Sequence, residues 1–147
     1  MIPHGGMGRA YSYTAFDGTG TALLTSFVYG QTIYPAQSQY RALELALRVT
    51  PDPTTTGLTG FTVSVEARDS DDDAWQQLQT IDENNANQDK QQAYTSMPGG
   101  TSAVNYGPLS IDPTGKGQIR VGVKIAGAPK AGDRVTANAK AVQDLSR

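Results

Sequence analysis

Three aspartates at alternate positions, Asp69, Asp71 and Asp73, precede the only tryptophan, Trp75. Hard carboxylate oxygens at such spacing suit calcium, and an indole beside them could stack on a sugar ring. The EF-hand pattern is not met, because its sixth-position glycine would be Ala74 and its twelfth-position glutamate Thr80. Aspartates in a tight turn ordinarily accept from local backbone donors and keep a hairpin soluble. A tryptophan opening a strand ordinarily covers one end of the core with its N–H at the rim. No metal site is therefore assigned, and Trp75, Asp71 and Asp73 are kept as the contacts of a glycan-binding alternative.

Other chemistry finds little support. There is no cysteine, and the one histidine, His4, lies in a glycine-rich start, His4-Gly5-Gly6-Met7-Gly8. A Ser-His-Asp arrangement would need that histidine fixed within hydrogen-bond reach of a nucleophile. The GxSxG, GxxxxGK[ST] and GxGxxG motifs are all missing. Two carboxylates roughly 5–9 Å apart could hydrolyse a glycoside, but the acids cluster in one turn where they stay ionised and donate protons poorly. The expectation is a protein that is not an enzyme and carries no cofactor.

The 147 residues suit one domain, able to bury roughly 70% of its unfolded surface without disulfides. No apolar run nears the roughly 20 residues that cross a bilayer, and Met1 to Gly6 does not read as a signal peptide. Neither a membrane nor a nucleic acid is an expected partner, since no dense Lys/Arg cluster occurs. Net charge is −2, unevenly spread. Between Glu66 and Asp89 eight acids face Arg68 alone, whereas Thr114 to Arg147 holds seven bases against two acids. Solvated faces of opposite sign are the plain reading; complementarity between neighbouring subunits is the sharper one.

Alternation with a period of two organises the chain. In Arg41 to Val49, Leu43, Leu45, Leu47 and Val49 share one side. Propensity favours a helix there, but a helical advance of about 100° would split the apolar set over two faces. A strand puts all four together. Phe61 to Arg68 alternates cleanly, and Trp75 to Ile81 reads as its hairpin partner across the acidic turn. Gln118 to Ile125 and Arg134 to Ala141 alternate too, with weaker strands at Ala22 to Tyr29, Ala93 to Met97 and Leu109 to Ile111. Turns rich in proline and glycine separate these runs. The expected fold class is all-β, an antiparallel β-sandwich or jelly roll of about eight strands.

Residues 1–20 do not alternate and are expected as an extended N-terminal arm, with the sandwich over 21–147. Tyr11, Tyr13 and Phe16 are its candidate protein contacts, because aromatic side chains are favoured at interfaces.

The stretch from Phe61 to Thr80 resembles a hairpin common in β-sandwich proteins of tailed-bacteriophage particles: an alternating strand, the Ser70-Asp71-Asp72 turn, Trp75, and a second strand. With Tyr40 to Val49 before it and Gln118 to Ile125 after it, the chain is similar to jelly rolls that decorate or cement capsids. Discoidin-like and other carbohydrate-binding sandwiches share a similar hairpin. The resemblance implies a non-enzymatic virion protein, a homo-oligomer and often a trimer. Its implied partners are the major capsid protein or other virion proteins. The alternative is a glycan- or receptor-binding module of a phage tail or cell surface.

Overall fold

The computed structural model describes residues 8–35, 40–78, 91–95, 97 and 102–144. Its strands are β1 (Gly8–Thr19), β2 (Val28–Tyr29), β3 (Tyr40–Thr50), β4 (Leu58–Arg68), β5 (Gln76–Gln77), β6 (Gln91–Tyr94), β7 (Val104–Ile111), β8 (Gln118–Gly127) and β9 (Arg134–Asp144). They form two sheets. The first runs β1-β9-β3-β7; the second runs β2-β8-β4, with β5 and β6 both beside β4. Every pairing between strands is antiparallel.

The period-two pattern places the core between the sheets. Leu43, Leu45, Leu47 and Val49 point inward from β3, and Val63 and Val65 from β4; Val121 and Val123 face them from β8. Fully burying one such side chain contributes roughly 1.5–3 kcal/mol, which is why the pattern outweighs helix propensity in β3. Alanines on β9 fit the same logic. Ala139 lies opposite both Tyr13 and Leu45, and Ala137 opposite both Phe16 and Leu47. A small residue in the central strand makes room for a large neighbour on either side.

The expected arm is corrected over residues 8–19. These form an edge strand paired along its length with β9, and Phe16 is 3% exposed within the core. Tyr13 packs partly buried against that core, so neither side chain is presented by a free arm. Tyr11 stands opposite Ala141 in the ladder; residues 1–7 lie outside the described residues. A register shift between Thr14 and Phe16 explains why alternation was not visible. The extra residue, Ala15, moves the inward set from odd to even positions.

The two sheets meet along one side where β1 passes the chain after β2. Gly30 donates to the Val121 carbonyl, and Gln31 Nε2 donates to the Thr14 carbonyl at 2.9 Å. A Cβ at Gly30 would collide with the Ala15 carbonyl oxygen. Gly30→Ala is therefore expected to lower stability by about 1–3 kcal/mol, as overpacking does. Urea denaturation reads this directly, and an unchanged midpoint would refute the close approach. On the other side, Phe61 stacks on Tyr94 at 4.8 Å and meets the edge of Tyr106 at 5.4 Å, with Tyr94 and Tyr106 5.2 Å apart. This trio joins β4 and β6 of one sheet to β7 of the other. Burial raises the pKa of both tyrosine hydroxyls.

One end of the sandwich is organised by Asp133, which is fully buried. Its carboxylate accepts from the backbone N–H of Asp52 (2.8 Å), Gly57 (3.0 Å) and Lys130 (2.8 Å). It thereby ties the β3–β4 connection to the β8–β9 connection. Burial pushes its pKa upward, but the donors from Lys130, Asp52 and Gly57, with the Thr56 hydroxyl, prevail and hold it below the ordinary carboxylate value. The sequence showed only a lone acid at a glycine turn within a basic stretch.

Candidate interaction face

The outer face of the second sheet is built by the residues that alternate with the core. On β4 these are Ser64, Glu66 and Arg68; on β8 they are Gln118, Arg120 and Gly122. Glu66 faces Arg120 across the ladder and Arg68 faces Gln118. An unpaired charge on a half-covered face is costly, and the register resolves this by placing opposite partners together. Arg120 donates from Nε to Glu66 Oε1 at 2.7 Å, with its NH2 atom 2.6 Å from the same oxygen.

Two aromatic rings flank the Arg120 guanidinium. Its carbon lies 3.6 Å from the Tyr29 ring centre and 4.4 Å from that of Trp75. Tyr29 can lie this low because its ladder partner is Gly122, where a Cβ would sit 2.6 Å from the ring. Its hydroxyl pKa is raised, by burial first and then by the Glu66 charge, with Arg120 opposing. Arg68 also stands over Trp75, at 4.3 Å. Arg68 Nε donates to Gln118 Oε1 at 2.8 Å, and Gln118 Nε2 donates to Asp71 Oδ1 at 2.7 Å. Gln77 Nε2 donates to Ser64 Oγ at 3.1 Å. Further along, Lys124 Nζ lies 5.0 Å from the Phe27 ring centre.

These contacts bury polar groups on a face that a period-two reading assigns to solvent. Ser64 is 0%, Glu66 9% and Gln118 7% exposed. Two guanidinium and two carboxylate groups make the cluster neutral, so it is a mixed surface and not a charged patch. Cation–π contacts of this kind contribute about 0.5–2 kcal/mol each, more as water is excluded.

Trp75 and Asp71 thus come together, but through the arginines of the neighbouring strands. Trp75 lies outside the core and is partly exposed, with both guanidinium groups on its ring system. Asp73 belongs to the turn itself: its Oδ2 accepts from the N–H and hydroxyl of Ser70 at 3.1 Å. Among the described residues no group of three or more His, Cys, Asp or Glu side chains could hold a metal ion. The sequence marked Trp75, Asp71 and Asp73 but missed Arg120, Glu66, Gln118 and Tyr29. The available signal was an opposite-charge residue on the polar side of each of two strongly apolar strands; their register was not available.

No protein-family model and no curated protein matches the chain. Among solved structures it is similar to the SPBc2 prophage-derived protein YomS, with a TM-score of 0.51 and 16% sequence identity. The match covers 93% of this chain and 96% of that one. At this identity the likeness is one of fold, and it extends over most of both chains.

Proposed function

We propose that this chain is a non-enzymatic structural protein of a phage particle that decorates or cements a capsid through protein–protein contacts. The observation that carries the reading is the fold shared over almost its full length with a prophage-derived protein. The strand order supports a jelly-roll reading: the first strand lies beside the last and the second beside the last but one. Four of the acids that chemistry could recruit are engaged in structure, with Glu66 on Arg120, Asp71 on Gln118, Asp73 on Ser70 and Asp133 on three backbone donors. Broad rigid faces are what a capsid-binding subunit requires, at roughly 1,000 Å² or more per specific interface. The glycan-binding alternative keeps one supporting feature, the partly exposed Trp75.

Mass spectrometry of density-banded particles, from a culture of the strain that encodes the chain, tests the proposal. The chain should be found in the particle band at stoichiometric level; its confinement to the unassembled fraction would overturn the reading. Truncation separates fold from attachment. Removing residues 1–19 takes away β1 and uncovers the apolar side of β9, so that variant is expected to unfold. Removing residues 1–7 leaves every described strand in place, and circular dichroism should show a folded protein. A folded 20–147 fragment would disprove the structural role of β1.

A further inference from the structure

We infer that β5 and β6 are a single edge strand into which residues 79–90 are inserted, and that the sandwich folds without the insertion. The argument rests on register. Gln76 and Gln77 stand opposite Ala67 and Glu66, and the Leu78 N–H donates to the Val65 carbonyl at 2.7 Å. Gln91 then stands opposite Ser64, followed by Gln92, Ala93 and Tyr94 opposite Val63, Thr62 and Phe61. From Ala67 to Phe61 no residue of β4 is skipped.

Residues facing consecutive positions of one strand are about 3.3–3.4 Å apart along their own strand, which a single peptide unit spans. A direct Leu78–Gln91 bond would therefore close the strand with no connecting residue. Side-chain parity agrees across the join. Leu78 and Tyr94 both pack against the core, and a join would place them four positions apart on the same face. Apart from Ile81 and Ala86 the inserted sequence is polar, with Asp82, Glu83, Asp89 and Lys90 among asparagines and glutamines. With β5 and β6 counted as one, the described residues form eight strands, four in each sheet. This inference concerns the scaffold and stands whether or not the particle reading holds.

Two variants test it. In the first, Leu78 is joined directly to Gln91. In the second, residues 79–90 are replaced by a Gly/Ser segment of equal length. Both should keep the strand content seen by far-UV circular dichroism and shift the thermal midpoint by less than about 6 °C, roughly 2 kcal/mol for a domain of this size. Amide protection from Val63 to Ala67 should persist in both. Should the Gly/Ser variant unfold or lose more than that, residues 79–90 hold the sandwich together and the inference fails. Should it fold while the direct join does not, the two pieces are not one continuous strand.

Discussion

Replacing Asp133 with alanine is expected to lower stability by about 3–5 kcal/mol. Three backbone donors, on Asp52, Gly57 and Lys130, lose their acceptor at once. Each buried group left unsatisfied costs about 1–3 kcal/mol, reduced where loop relaxation admits water. Asp133→Asn should retain part of this, since one amide oxygen remains while an NH2 group is turned toward backbone donors. Equilibrium urea denaturation provides the measurement, and a loss under about 1 kcal/mol for the alanine variant would show that the loops are held by something else.

The pH dependence of that contribution has a definite sign. The folded-state pKa of Asp133 is depressed, so the folded protein holds its proton less tightly than the unfolded chain, whose value is about 3.9. Its stabilisation is complete above that value and is lost as pH falls through the folded-state pKa. Asp17, paired with Arg134 through two contacts of 2.9 Å, shifts in the same direction through its Arg134 hydrogen bond. That pair is half exposed and weighs less. Asp133→Asn should accordingly flatten the acid limb of the stability profile.

Arg120→Ala is the second large effect expected, a loss of about 2–4 kcal/mol. Breaking a buried ion pair by removing one partner costs about 3–5 kcal/mol; the lower figure allows for the partial exposure of Arg120, 24% for its side chain against 12% for Glu66. The Tyr29 and Trp75 rings lose their shared cation in the same step. Because Trp75 is the only tryptophan, its fluorescence reports the change, and emission should move as water reaches the ring. Adding Glu66→Gln should recover part of the stability, since the uncompensated charge is then gone. Unchanged emission and stability in Arg120→Ala would mean that this network is not formed in solution.

Strands with one wet and one dry face were legible in the sequence. Leu43 to Val49, Phe61 to Arg68, Gln118 to Ile125 and Arg134 to Ala141 all lie within strands, because inward and outward residues differ sharply in hydropathy. The first strand was not legible. One bulged residue at Ala15 shifts Phe16 onto the inward side with Tyr13, and a strict period-two reading then finds no strand. Of the Ala22 to Tyr29 expectation only Val28 and Tyr29 are strand, since Gly20 to Ala22 close a 3-10 turn. The outer face was hidden for another reason. Glu66 and Arg120 are far apart in sequence, and nothing local says that a glycine at 122 lets a tyrosine from β2 settle over the pair. Register carries that information, and register emerges only when the sheet assembles.

In the first sheet no two neighbouring strands are consecutive in the chain, and its outermost pairing joins the strand at Gly8–Thr19 to the one at Arg134–Asp144. Most of the loop-closure entropy must be lost before those ladders form, which places folding in the slow range, roughly milliseconds to seconds. Loss of the native state requires the same distant ladders to part together, so the lifetime of the folded chain is governed by an unfolding rate as much as by a free-energy difference. A chain of this topology is slow to make and correspondingly persistent once made.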